Sequence, residues 1–372
     1  MKILFLTNIP APYRVDFFSL LGERDKVTVL YERRNATDRD MRWIKDDKTS
    51  YQAVYLPTIS VGNDKSIGLR HLRFLRKKQF DLIVFMGYST PVQIIGIIYC
   101  IIYKLPYTIV IDGAIIKNDY KKLSGRIKRF LISHAEATLC TGTISKTFLE
   151  NYGAKKETIY IVPFTSVHEE DILNNTLSAE TRKELRNELG IEDKFTFISV
   201  GQFIHRKGFD LLLEATAHLG QDIQVIIIGG TPTEEYIDLC NQLRLSNVRF
   251  IDFQPKEQLK KYYLSADVFV MPTREDVWGL VINEALALGL PVISSDACVA
   301  AKELIGSDNG IIIPSNDVTS LIKVMYTFSK MDQRALSNYQ NNNLQLSRRI
   351  TIETMAEEYH RVLNEIVNKK KI

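Results

Sequence analysis

Cysteine is scarce in this 372-residue chain: Cys100, Cys140, Cys240 and Cys298 are the only four, and no two form a Cys-x-x-Cys pair. That scatter argues against a disulfide framework or a zinc knuckle and favours a reducing compartment. Long apolar runs are also missing. The longest, VQIIGIIYCIIY from Val92 to Tyr103, reaches about half a membrane span before Lys104 and Pro106 interrupt it, so it reads as a buried helix. The opening MKILFLTNIP has too short an apolar run for a signal peptide, and a cytoplasmic protein is expected. No Gly-x-Gly-x-x-Gly follows the first strand and no Gly-x-x-x-x-Gly-Lys-Ser/Thr occurs, which leaves a dinucleotide fingerprint or a P-loop without support. Asp38 to Asp40 (DRD) has the form of a metal-binding pair but lies in a polar loop away from every other motif. It reads as surface, and no metal or cofactor is expected.

Charge is present but unevenly spread. Residues 1–170 hold 26 Lys and Arg against 17 Asp and Glu, a balance of +9. The remainder holds 22 against 27, a balance of −5, and the two give the chain its +4. Basic residues collect in RHLRFLRKK (Arg70 to Lys78) and KNDYKKLSGRIKR (Lys117 to Arg129), with Arg73, Arg76, Lys77, Lys122 and Lys128 among them. Such runs are most often solvated helix faces. The functional alternative is an anionic partner, either membrane lipid or a phosphorylated acceptor. Nucleic acid is not expected, because no binding motif or aromatic interleaving accompanies the charge.

A chain of this length suits two domains, and 45% hydrophobic with 25% charged residues is a globular composition. Short apolar runs alternate with helical patterns, from KILFLT and KVTVLYE through DLIVFMG and YTIVIDG to TIYIVP. A second series runs from FTFISVGQF through IQVIIIGG, ADVFVMPT and LPVISSD to GIIIP. Strands that are apolar throughout, rather than at alternate positions, predict parallel sheets covered on both faces. The expectation is an α/β fold of two doubly wound, Rossmann-like domains facing a cleft. The polar stretch between them, from around Thr165 to Asp193, reads as a linker carrying one helix. The expected boundaries are 1–170 and 171–350, with an amphipathic helix in 351–372 packing back on the first domain. Ligands are expected at the carboxyl ends of the strands.

Two constellations sit at such strand ends. In PTREDVWGLVINEALALGLPVISSD, Glu275 and Asp276 occupy the loop after a strand. Gly279 opens a helix whose first N–H groups, those of Gly279, Leu280 and Val281, are unpaired donors suited to phosphate. Glu284 lies one to two turns further, where a carboxylate could hold a sugar diol. The bland alternative makes Asp276 a helix cap and Glu284 a surface residue. In SVGQFIHRKGFDLLLEA, Arg206 and Lys207 end another strand–loop–helix turn, where two adjacent cations can bind a diphosphate and stabilise it as it leaves. A solvated pair is the plainer reading there, and His205 beside them reads as surface.

Together these two motifs resemble those of retaining glycosyltransferases of family 4, which have the GT-B fold. The resemblance is strong from about Phe195 to Pro314 and weaker over the N-terminal domain, which in the family binds the acceptor. It implies that Arg206 and Lys207 contact the donor diphosphate and that Glu284 binds the nucleotide ribose. It further implies that Gly201 and the backbone of Val277, Trp278, Gly279, Leu280 and Val281 face the donor. By its spacing to Glu284, Asp276 falls where the family's first signature acid touches the transferred sugar. The family more often has Glu there, and Glu275 precedes it by one residue, so either acid could fill the role. Where many members carry a histidine after the fourth strand, this chain has Asp112 and Gly113, and Asp112 either takes a related catalytic position or ends the strand. Tyr13 and Arg14, in a first loop without paired glycines, are candidates for acceptor or donor contact.

The resemblance implies transfer with retention, without a metal, in which the departing diphosphate helps deprotonate the incoming hydroxyl. The implied donor is a nucleotide-sugar, UDP-linked by preference. The implied acceptor is a lipid-linked saccharide or oligosaccharide of bacterial surface-polysaccharide assembly, with the basic N-terminal helices docking peripherally on the inner face of an anionic membrane. The alternatives are a nucleotide-sugar 2-epimerase of the same fold and a non-catalytic partner subunit.

Overall fold

The structure, a computed structural model, describes residues 1–34, 49–60, 66–76, 79–116 and 122–369. Asp38 to Asp40, Lys77, Lys78 and residues 117–121 of the second basic run lie outside them. The chain forms two compact units, Met1–Thr165 with Thr351–Ile372, and Ser166–Ile350.

The first unit is built on β1 (Lys2–Thr7), β2 (Lys26–Tyr31) and β3 (Gln52–Tyr55), then a short antiparallel hairpin, β4 (Ile59–Ser60) with β5 (Ser66–Ile67). It continues with β6 (Leu82–Phe85), β7 (Tyr107–Ile111), β8 (Ala137–Cys140) and β9 (Ile159–Ile161). Seven of these strands form one parallel sheet in the order β3-β2-β1-β6-β7-β8-β9. The central strands β6 and β7 are buried along their whole length and β1 from Ile3 onward, as Leu4, Phe5, Val84 and Ile109 illustrate. An unbroken apolar run is what a sheet sandwiched between helices requires. The order reverses between β1 and β6, so the crevice beyond their carboxyl ends is this unit's switch point.

The second unit repeats the plan with β10 (Phe195–Val200), β11 (Ile223–Ile228), β12 (Val248–Ile251), β13 (Val268–Met271), β14 (Val292–Ser295) and β15 (Gly310–Ile313). All are parallel, in the order β12-β11-β10-β13-β14-β15, and the switch point falls between β10 and β13. The loops that follow β10 and β13 are the two that carry the candidate motifs.

Two segments differ from their expected form. The polar stretch after Thr165 is docked structure belonging to the second unit. Its helix Ala179–Glu188 buries Arg182 and Arg186; Arg186 binds the Asp267 carboxylate at 2.6 Å and the Ser265 carbonyl at 2.9 Å. Charge made this segment look like a linker, but paired arginines can be buried where apolar residues would be. The helix Pro91–Ile102 buries Val92, Gly96, Ile97 and Cys100 yet leaves Ile98, Ile102 and the following Tyr103 exposed. No helix among the described residues is long and apolar enough to cross a membrane.

The terminal helix Ile352–Lys369 buries Ile352, Met355, Tyr359, Val362, Leu363 and Ile366, a stripe at three- and four-residue spacing. The stripe packs on helix Pro12–Arg24 of the first unit, where Tyr359 meets Phe17 edge-on at 4.7 Å between centroids. His360 Nδ1 lies 2.7 Å from buried Asp25, and Arg24 pairs with Glu357 at 2.7 Å.

Candidate functional site

At the second unit's switch point the two motifs interlock. The loop after β10 ends in a short 3-10 turn, His205–Lys207, and Gly208 then starts helix Phe209–Thr216 in the left-handed conformation, φ +70. A side chain at Gly208 would run into the Pro272 carbonyl of the loop after β13, so glycine is what lets the loops touch. Arg274 braces them. Its guanidinium grips Asp210 in two bonds of 2.7 and 2.6 Å and also donates to the His205 carbonyl at 2.8 Å, while its backbone N–H donates to the Arg206 carbonyl at 2.8 Å. Burial works to raise the Asp210 carboxyl, but the bonds and charge of Arg274 outweigh it and hold the group below its ordinary range.

Held this way, both cations converge on one carboxylate. Lys207 Nζ lies 2.7 Å and Arg206 Nη1 3.3 Å from Asp276 Oδ2, and Arg206 also donates to the Glu275 carbonyl at 2.8 Å. The Lys207 methylenes pass over Gly201, where an added Cβ would stand 3.3 Å from Lys207 Cε. Asp276 is therefore not a helix cap. Helix Leu280–Ala287 starts from Gly279, φ +98, without a side-chain cap. A Cβ at Gly279 would meet Cys298 Sγ at 2.9 Å and Met271 Cε at 3.2 Å. The first bond of that turn runs from Ile282 N to the Gly279 carbonyl, which leaves the Leu280 and Val281 N–H groups ahead of the helical ladder.

The remaining candidates divide between backbone and side-chain roles. Trp278 is buried, with Nε1 donating to Asn283 at 3.0 Å, its N–H directed at Asp276 Oδ1 at 3.4 Å and its carbonyl accepting from the Ala300 N–H at 2.9 Å. Val277 is exposed. Cys298 donates to the Trp278 carbonyl at 2.9 Å, and burial pushes its thiol up to about 12, which makes it a neutral donor rather than a nucleophile.

Glu284 is not a surface residue. Ser166 Oγ donates to Oε1 at 3.0 Å and the fully buried Tyr263 hydroxyl donates to Oε2 at 3.2 Å, one hydroxyl on each oxygen. Burial raises the carboxyl above its ordinary value and the two hydroxyls partly offset that. Ser166, Tyr263, Arg274 and Asp210 are supporting residues that motif reading missed. Arg274 and Asp210 lie inside the quoted motifs with opposite charges, a signal that could have been used. Nothing local marks Tyr263 or Ser166.

In the first unit, Arg14 is buried on helix Pro12–Arg24 and its Nη2 bonds Asp112 Oδ1 at the end of β7. Arg14 thus reaches a neighbouring side chain, and Asp112 is the exposed member of the pair, at 39% of its side chain against 4%. The Tyr13 ring packs edge-on against Phe164 at 5.6 Å. Among the described residues no cluster of His, Cys, Asp and Glu is placed to hold a metal ion.

Residues 181–344 match the family of glycosyl transferases group 1. An uncharacterized glycosyltransferase of Haemophilus influenzae is 26% identical over 274 residues, which cover 70% of this chain and 76% of that protein. A D-inositol 3-phosphate glycosyltransferase of Corynebacterium diphtheriae is 32% identical over 129 residues, 32% of this chain and 30% of that one. Among solved structures, Anabaena HepE in complex with UDP superposes with a TM-score of 0.79 at 17% identity, covering 98% of this chain and 100% of that one. At that identity the likeness speaks for the fold, which is GT-B.

Proposed function

We propose, from the premise that this chain is a glycosyltransferase of group 1, that it transfers a sugar with retention and without a metal from a UDP-sugar to a lipid-linked saccharide. The observation that carries the reading is the convergence of Lys207 and Arg206 on Asp276 at the switch point, with Glu284 held by two hydroxyls in the adjoining helix. A donor diphosphate would draw the two cations from Asp276 and take the Leu280 and Val281 N–H groups as well. Asp276, so released, is a carboxylate ready to accept sugar hydroxyls. Glu284 keeps lone pairs on both oxygens, the geometry that a ribose diol needs. As the bond to the anomeric carbon breaks, negative charge grows on the diphosphate, and Arg206 and Lys207 stabilise it most at that moment. The choice of UDP is supported by the fold-sharing HepE, crystallised with UDP and with UDP-glucose.

The first unit supplies the reason for a lipid-linked acceptor. Its helix Leu123–Ser133 exposes Leu123, Ile127 and Phe130 at one-turn spacing, and Lys122, Arg126 and Arg129 flank that stripe. An apolar face edged with cations fits an anionic bilayer surface and supports an acceptor reached there, such as a lipid-linked intermediate of surface-polysaccharide assembly.

Thermal unfolding against UDP-, GDP-, dTDP- and ADP-sugars, with and without magnesium, tests the donor site. A ligand at a hundred times its Kd stabilises by about 2.7 kcal/mol. A shift with UDP-sugars that ignores magnesium is expected. No shift with any nucleotide would overturn the reading, and product formed without any acceptor would make the protein an epimerase.

A further inference from the structure

The first basic run is more than a solvated helix face. His71, inside it, is fully buried against helix Pro91–Ile102, where a Cβ on Gly96 would stand 3.3 Å from His71 Cδ2. With His71 as the anchor, Arg70, Arg73 and Arg76 are all exposed. Beside the run, the hairpin of β4 and β5 pairs Ile59, 76% exposed, with Ile67 across the two strands, and Leu69 follows; all three lie in solvent.

The hairpin is pinned in place. The buried Glu32 carboxylate accepts from Ser66 of β5 and from Thr90 at the head of helix Pro91–Ile102, both at 2.7 Å, and Thr58 donates to the Glu32 carbonyl. Burying a carboxylate is costly, and here it secures a hairpin whose own apolar side chains face water.

Hairpin, run and the two following helices lie on one side of the first sheet. Right-handed crossovers put the helices joining β6 to β7 and β7 to β8 on a common face. Helix Pro91–Ile102 packs there against β5, helix Leu72–Arg76 and helix Leu123–Ser133, and it exposes Ile98, Ile102 and the adjoining Tyr103. Charge on this layer has one sign. Residues 66–76, 91–104 and 122–133 contain no Asp or Glu, while Lys104, Lys122, Arg126 and Arg129 are exposed along with the arginines of the run. None of these cations has a carboxylate partner among the described residues.

We propose that the hairpin and the first basic run are a second membrane contact, which forms one face with helices Pro91–Ile102 and Leu123–Ser133 and seats the first unit in an anionic bilayer. This rests on the contact given above to helix Leu123–Ser133.

A face without a carboxylate matches a surface that is negative throughout. Apolar tips standing among arginines suit the boundary between headgroups and acyl chains, where long cationic side chains reach back to the phosphates. A second copy of this chain would bring the same cations against these and be repelled. Two contacts also do what one helix cannot. A single amphipathic helix can roll on a surface, whereas a face carried by one folded unit fixes the tilt of its sheet, and linked contacts bind more tightly than either alone.

The test is co-sedimentation of the full chain with vesicles of phosphatidylcholine, with and without phosphatidylglycerol. Wild type should sediment only when phosphatidylglycerol is present. Ile59→Glu and the double variant Arg70→Glu/Arg73→Glu should each bind at least about tenfold more weakly, since burying an isoleucine is worth about tenfold and a cation at such a surface roughly fivefold. Lys323→Glu/Arg334→Glu, a matched reversal of exposed cations in the second unit, should bind as wild type, and every variant should keep its melting temperature and UDP affinity. Hairpin and run variants that bind like wild type while Ile127→Glu is released would overturn the second contact and leave that of helix Leu123–Ser133 standing. A loss of the same size in the matched reversal would mean that net charge alone binds the vesicles, and would also overturn it. A wild type that does not sediment would overturn both contacts, and a dimer in ultracentrifugation that Ile59→Glu dissociates would give the face to a second copy instead.

Discussion

Replacing Glu284 by glutamine tests the proposed donor site with little disturbance of shape. The side chain keeps its length and one carbonyl oxygen, but the other oxygen becomes an amide. In the free protein Ser166 and Tyr263 each donate to one carboxylate oxygen, at 3.0 and 3.2 Å. A hydroxyl can reverse and accept from the new amide, so the change leaves no buried group unpaired and removes a buried charge. Stability should therefore move by no more than about 1 kcal/mol. Binding is different, because a ribose diol would present two donors to two carboxylate oxygens and the amide can accept only one. A hydrogen bond to a charged group is worth about 1.5–3 kcal/mol, so the affinity for UDP should fall roughly 10- to 150-fold at 1.4 kcal/mol per decade. Titration calorimetry of UDP into both proteins, with melts in parallel, measures this. If the variant binds UDP within threefold of wild type, Glu284 does not hold the ribose and the assignment of the site fails.

Four further outcomes follow from the same geometry. Lys207→Ala should lower kcat more than it weakens UDP-sugar binding, because the charge it meets grows as the diphosphate leaves; equal losses in steady-state kinetics would reduce it to a ground-state grip. Gly279→Ala should cost about 1–3 kcal/mol in urea unfolding, since φ +98 and the nearby Cys298 and Met271 both oppose a Cβ, and wild-type stability would contradict that strain. The Glu284 carboxyl is raised in the folded protein by burial, so its contribution to stability is fully present below the ordinary value of 4.5 and is lost as pH rises through the folded value. Wild type should thus lose stability relative to Glu284→Gln over that rise, while UDP affinity increases; parallel stability curves would refute the shift. Finally, Ile127→Glu should release the protein from phosphatidylglycerol vesicles in sedimentation without changing UDP affinity, and unchanged sedimentation would remove the helix Leu123–Ser133 from the membrane contact.

Much of this was legible in the sequence because it is local. Uninterrupted runs such as IQVIII and VFVM can only be strands with both faces covered, and each appears in the second sheet. Arg206, Lys207 and Asp276 stand directly after such strands, and parallel topology carries those strand ends to one edge. What the chain brings together over long separations was not legible. Ser166 lies 118 residues from Glu284, and a lone serine carries no pattern that names its partner. Burial of charge was misread for the same reason: Arg182 and Arg186 look like solvent residues until Asp267 and the carbonyls beside it supply their bonds. For Trp278 the motif implied a backbone role, and the indole does turn inward, with a 3.0 Å bond to Asn283.

The terminal helix has a consequence for how the protein is made. Residues 351–372 belong to the unit that begins at Met1, so the second unit is an insertion in the sequence of the first. During synthesis, Ser166–Ile350 emerges complete and can fold while its host still lacks the stripe around Tyr359 that covers Phe17 and Arg14. A nascent chain stopped short of Thr351 would have a finished second unit and a first unit whose aromatic face is still open. Folding of the host thus waits for residues beyond Thr351, whereas the inserted unit needs none of them.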